Sequence, residues 1–408
     1  MLLNNLPAEL LSKILGFLDK EDLVNICQVC KQLRKICLDD LVWRSLGEPL
    51  ANFRPNHFRQ LRKLFHGRQE SISSKNSLKE ACRIAHNWQS HKPYDCTVQK
   101  FRQKLLPWLC FSGNALFFSH LNSIISSRTG SRFRNGIDFK HRRYYRGHKS
   151  DVVRFAVTDS QIISGGCDRQ ILVWNKDSCD LYQQIPLEGI VTSLDACNST
   201  IVTGIRERGI SVFRKNEHGF VSSYHYPMKD IVWTLAVDTN NRYFTAGSSC
   251  CLDKQPLKVF DVERGDIVNV CGKDYPYGAG VLALHYQDPR TFLSCGYDCS
   301  LNCWDLRGSC RVPSISFPDE DQSFYYSLDS DHDNFIACGL CRFGQIKFWD
   351  KRHPSRNLQS FFVGNVGRLD NSSPVYSLKV TATHLYAALS QSLQTLDFTH
   401  NLCYRPDR

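Results

Sequence analysis

A histidine, a serine and an aspartate fall within one short stretch of this 408-residue chain, as His148, Ser164 and Asp168. Together they hold the groups of a nucleophilic triad, in which an exposed hydroxyl is deprotonated by a histidine that a carboxylate orients. The Gly-x-Ser-x-Gly turn that lifts such a serine out of a sheet is missing around Ser164, which excludes the hydrolase reading. Cys27-x-x-Cys30 and Cys338-x-x-Cys341 have zinc-ligand spacing, but each pair lacks a neighbouring second pair of ligands, so both read as core thiols and no metal is expected. Gly278-Ala279-Gly280 is not followed by Lys-Ser/Thr, so it reads as a turn into a strand and not as a phosphate loop. These residues therefore predict neither catalytic chemistry nor a cofactor.

Composition narrows the class. A hydrophobic fraction of 42% with 22% charged residues is ordinary for a globular chain. At about 150 residues per domain the length predicts two or three domains. No apolar run reaches the roughly 18–20 residues needed to cross a bilayer, and the first 18 residues lack a basic leader, so no signal peptide is expected. Nineteen irregularly spaced cysteines in a chain this long point to reduced thiols, and hence to the cytoplasm or nucleus. The net charge of +11 is uneven: residues 1–47 balance to zero, residues 48–106 carry +8, and the remainder +3.

The elements that position these residues fall into three zones, expected at 1–47, 48–104 and 105–408. The first is helical. Leu10, Ile14 and Phe17 form one stripe at i, i+4, i+7, and Leu11, Leu15 and Leu18 form a second beside it. Pro7 suits the first turn, with Asn4 or Asn5 as cap. Lys20–Val29 and a short run through Leu33, Ile36 and Cys37 add two more helices. Apolar residues on two faces exceed what a 45-residue bundle can bury, so one face is expected to bind another protein.

This zone resembles an F-box. The residues that carry the likeness are Leu6-Pro7-x-Glu9-Leu10-x-x-x-Ile14-Leu15-x-x-Leu18, Asp22-Leu23, Val29-Cys30-Lys31, Leu33-Arg34 and Leu41-Val42-Trp43-Arg44. The resemblance implies docking on Skp1, and through it on the cullin and RING subunits of a ubiquitin ligase. Leu6, Pro7, Ile14, Leu15, Leu18, Leu33 and Trp43 are the residues it implicates, by direct contact or by holding the helices. The second zone is the basic connector, with a helix expected over Ser77–Trp88. Its Lys and Arg are dispersed and accompany no RNA-binding motif, so a solvated surface is expected and no nucleic-acid partner.

From about residue 107 the pattern changes to short strands between Gly, Asp, Asn and Ser turns. Comparable third-strand ends recur at Trp174, Phe213, Phe260, Trp304, Trp349 and Leu396, in steps of 39, 47, 44, 45 and 47 residues. A period of about 40–45 residues marks a propeller with four strands per blade, and a degenerate repeat at 107–139 makes seven. Asp95–Arg102 and Asn401–Tyr404 compete for the strand that closes the ring. Gly147-His148, Ser164-Gly165-Gly166-Cys167-Asp168 and Trp174-Asn175 resemble a WD40 repeat, as do Ser294-Cys295-Gly296-Tyr297-Asp298 with Trp304-Asp305, and Phe348-Trp349-Asp350. The likeness implies a buried hydrogen-bonded set of His148, Ser164, Asp168 and Trp174. In the later repeat Ser294, Asp298 and Trp304 remain without the histidine.

The whole chain resembles the F-box/WD-repeat family. The implied fold is mainly β: a seven-bladed WD40 propeller preceded by a small all-α F-box and a helical linker. The implied role is that of a non-catalytic substrate receptor of an SCF-type ubiquitin ligase, with no cofactor and no membrane partner. Arg169, Arg206, Arg208 and Arg342 fall in second-to-third strand turns, where arginines on one rim would suit a carboxylate or phosphate. Two other classes share these residues: a WD-repeat scaffold outside a ligase, and a nucleic-acid-binding protein using the basic connector.

Overall fold

A computed structural model describes residues 6–18, 20–37, 42, 84, 87–88, 93–130, 133, 136–273, 275–318, 321–332, 334–364, 373–381 and 383–399. The chain divides into two compact units: residues 1–94 with 381–384 and 396–408, and residues 95–380 with 385–395.

The first unit opens with three helices, α1 (Ala8–Leu15), α2 (Lys20–Val29) and α3 (Lys31–Cys37). Pro7 is the residue before α1 and not its first turn. Its extended backbone (ψ 144°) turns its carbonyl onto the N–H groups of Leu10 and Leu11, both at 3.1 Å. Asn4 and Asn5 lie outside the described residues. Of the expected connector helix, Ile84, Asn87 and Trp88 are described and helical, and all three are buried. Trp88 stacks on Phe398 with ring centroids 3.4 Å apart, and Asn87 Nδ2 donates to the Phe398 carbonyl at 2.8 Å.

The strands form seven antiparallel sheets of four. In chain order the blades comprise residues 109–146, 152–186, 191–226, 232–271, 281–317 and 325–362. The seventh joins Ser377–Val380, His384–Ala388 and Ser392–Asp397 to Tyr94–Lys100 as its outer strand. The closing strand is thus Tyr94–Lys100, taken from the early part of the chain, and Asn401–Tyr404 lies outside the described residues. This corrects the expected boundary at 104/105, because sheet structure begins at Tyr94 inside the segment read as linker. A strand remote in sequence thus supplies the last ladder and brings the seventh blade to four strands like the others.

The core is distributed between blades. Phe117, Ile124, Phe155 and Trp174 pack the first against the second. Leu293, Leu301, Cys338 and Trp349 pack the fifth against the sixth. The inner strands of the second to sixth blades share a register irregularity after their first residue, at Val152, Val191, Val232, Val281 and Tyr325. The hydroxyls that follow it reach the next blade: Ser193 Oγ donates to the Val232 carbonyl at 3.0 Å, and Ser327 Oγ to that of Val375 at 2.7 Å.

Candidate functional site

Two surfaces carry the recognisable chemistry: one face of the helical unit, and the propeller face formed by the second-to-third strand turns.

Along α1 and the turn that follows it the two apolar stripes face differently. Leu11 and Leu15 are buried at 0% and 1% exposure and Leu18 is half-buried, while Leu10, Ile14 and, in the turn, Phe17 stand at 48%, 43% and 91%. Leu23 of α2 and Leu33, Ile36 and Cys37 of α3 are buried as well, and Val29 at the end of α2 is 70% exposed. Of the residues expected to dock, Pro7 and Ile14 are exposed, Leu6 and Leu18 are half-buried, and Leu15 and Leu33 are internal. Leu15 and Leu33 therefore act by holding the helices. Trp43 lies outside the described residues. Leu10, Phe17 and Val29 belong with the exposed set; helical periodicity groups Leu10 and Phe17 with Ile14 but does not say which stripe faces outward.

In the second blade the four residues meet as the repeat implies. His148 Nδ1 lies 3.0 Å from both Asp168 carboxylate oxygens, Nε2 lies 2.8 Å from Ser164 Oγ, and Trp174 Nε1 donates to Ser164 Oγ at 3.0 Å. Asp168 also accepts the Lys149 N–H at 2.8 Å. The chain of partners assigns the proton of a neutral imidazole to Nδ1. Burial pushes the His148 pKa down, against the pull of Asp168. Gly166 makes room for the cluster, since a Cβ there would stand 2.6 Å from Asp168 Oδ1 and 2.7 Å from His148 Nδ1. The serine–histidine–aspartate distances are those of a hydrolytic triad, yet Ser164 is 0% exposed and its oxygen already accepts from Trp174. No substrate atom can reach it, so the cluster is a fastener.

The other blades keep parts of this fastener. In the fifth, Trp304 Nε1 donates to Ser294 Oγ at 2.8 Å, but Asp298 has no histidine against it and accepts from Ser300 of its own turn, with the N–H at 3.2 Å. Burial pushes the Asp298 pKa up to about 6. In the sixth, Cys338 stands where the second and fifth have Ser164 and Ser294, and Trp349 Nε1 is buried without a partner.

Arg169, Arg206, Arg208 and Arg342 all lie in second-to-third strand turns and are exposed, so all four are on one face. Arg169 adopts a left-handed backbone, φ 62°, at the tip of its turn. Arg208 pairs with Glu188 at 3.3 Å, an exposed contact. The ring brings Arg169, Arg206 and Arg208 onto adjacent blades, the second and third. It places Arg342 on the sixth, three blades away in either direction, so that arginine does not converge with the rest.

A helical unit with an outward apolar stripe, joined to a seven-bladed ring bearing WD40 fasteners, defines an F-box protein with a propeller. Residues 3–48 match the F-box-like family model, and residues 139–175 match the WD domain, G-beta repeat model. The mouse F-box/WD repeat-containing protein 4 is 32% identical over 96% of this chain and 92% of its own length; its human counterpart is 31% identical over the same shares. The chain belongs to the F-box/WD-repeat family. Among solved structures, the Myceliophteria thermophila Cps50 (Swd1) β-propeller domain superposes with a TM-score of 0.60 at 12% identity, covering 74% of this chain and 98% of that one. The RRP9 WD40 repeats give 0.58 at 15%, with coverages of 74% and 97%. Both are likenesses of fold alone.

Proposed function

We propose that this protein is the substrate-recognition subunit of an SCF-type E3 ubiquitin ligase in the cytoplasm or nucleus. Its helical unit docks on Skp1, and through Skp1 on the cullin and RING subunits, while the propeller holds a protein substrate. The observation that carries the reading is the exposed Leu10–Ile14–Phe17 stripe beside the buried Leu11 and Leu15, inside a segment that matches the F-box-like model. An outward row of large apolar side chains on a short helix suits insertion into a partner's groove.

The role needs no reactive side chain. Holding a substrate lysine close to a ubiquitin-charged enzyme raises its effective concentration, and positioning alone supplies a large part of the rate. On the propeller, Arg169, Arg206 and Arg208 form a basic stretch over two adjacent blades, suited to an acidic or phosphorylated substrate segment. Replacing the three with alanine is expected to weaken substrate capture from cell extract while leaving Skp1 recovery intact. The ligase reading itself is tested by affinity purification of the intact chain. Skp1, cullin and RING subunits are expected to co-purify, and to be lost on double substitution of Leu6 and Pro7. Recovery of nucleic acid without Skp1 would contradict it.

A further inference from the structure

The fifth blade has lost one member of its fastener, and the space is open to solvent. Val281 pairs with Gly296 as Val152 pairs with Gly166, so the two blades are in equivalent register. Tyr277, four residues before Val281, therefore occupies the position of His148, four residues before Val152. It does not turn inward: it is 84% exposed. Where an imidazole fills the second blade, the fifth has a cavity of about 680 Å³ bounded by Asp298, Trp304, Tyr275, Tyr277, Tyr297 and Phe324. Besides Tyr277, its lining exposes the apolar side chains of Val312, at 58%, and Phe324, at 41%. Isolated exposed apolar side chains are ordinary, but several around one opening mark a contact surface.

The charge inside is unmatched. Asp168 receives a histidine and a backbone N–H, whereas Asp298 is hydrogen-bonded only within its own turn, by the Ser300 N–H and hydroxyl, and pairs with no cation among the described residues. Lys273 and Arg311 also border the cavity, yet neither forms an ion pair with Asp298. The Tyr297 ring packs edge-on against Trp233 and Phe324, with centroids 5.5 and 5.3 Å away, which holds one wall in place. A desolvated carboxylate beneath aromatic rings favours a cation, by ion pairing at its head and by ring contacts along its stem.

We propose that this cavity receives a basic side chain, arginine or lysine, from an apolar segment of a partner protein. It lies on the same propeller face as Arg169 and Arg206. Naming that partner a ligase substrate rests on the function proposed above, but binding in the cavity does not.

The test titrates the full-length chain with three labelled pentapeptides, Gly-Leu-Arg-Leu-Gly and its citrulline and glutamate counterparts. Citrulline keeps the shape of arginine and removes the charge. The arginine peptide is expected to bind about tenfold more tightly than the citrulline one, with that preference abolished in Asp298→Asn. Tyr277→Ala, at a surface position that bears no packing, is expected to weaken the arginine peptide severalfold with an unchanged unfolding midpoint. Equal binding of the arginine and citrulline peptides, or a preference that survives Asp298→Asn, would overturn the proposal. Tighter binding of the glutamate peptide would also overturn it, by showing that Lys273 and Arg311 govern the opening. The titration contains no Skp1, so failure to recruit the ligase leaves its outcome unaffected.

Discussion

Single atoms in the fasteners have separable effects. Trp349 Nε1 is the same group as Trp174 Nε1, in the same register, but it faces Cys338 instead of a hydroxyl. A buried donor left unmade is destabilising, and a serine oxygen would accept its proton. Cys338→Ser is therefore expected to raise stability by about 1 kcal/mol, read as a higher denaturant midpoint at constant slope; a lower midpoint would contradict the register assigned here. Asp298 makes a second case, through its charge. In the folded chain it holds its proton to about pH 6, while the unfolded chain releases it near 3.8. The unfavourable contribution is thus absent below pH 4, grows as pH rises, and is complete above 6. Asp298→Asn keeps an oxygen for the Ser300 N–H and removes the charge. It is expected to be more stable than the parent by about 1 kcal/mol at pH 8 and equal to it near pH 4, as unfolding curves across that range will show.

At the scale of elements, the two stripes of α1 do different work. Leu15 and Leu33 are internal, and cutting either to alanine is expected to lower stability by about 2–4 kcal/mol and to reduce helical circular dichroism. Ile14→Asp and Phe17→Asp, on the open side, should leave the dichroism unchanged and remove Skp1 binding. If both pairs behave alike, the division of the helix into inner and outer faces is wrong. That division was hidden in the sequence for a physical reason: periodicity shows that residues share a side, whereas burial depends on which neighbour covers it. The blades were far easier to see. A tryptophan, phenylalanine or leucine marks the third strand of the second to seventh blades at steps of 39 to 47 residues, because these blades bury a large side chain there. Closure of the ring was visible only as a choice between Asp95–Arg102 and Asn401–Tyr404: the structure uses Tyr94–Lys100, which pairs with a strand about 300 residues away, and local pattern does not register such distance. The cavity of the fifth blade escaped for a related reason. The missing histidine is plain in the sequence, but whether Tyr277 fills its place is settled only by the loop's path.

At the scale of the molecule, one chain joins a docking unit to a recognition ring, and its function follows from carrying both. The central claim is that the α1 face recruits Skp1. Purified full-length chain mixed with Skp1 and resolved by size-exclusion chromatography tests it most directly. The parent is expected to elute with Skp1 as a one-to-one complex, while the Ile14→Asp/Phe17→Asp variant elutes alone with its fold intact by circular dichroism. Separate elution of the parent chain and Skp1, or co-elution of the variant to the same extent as the parent, would contradict the account.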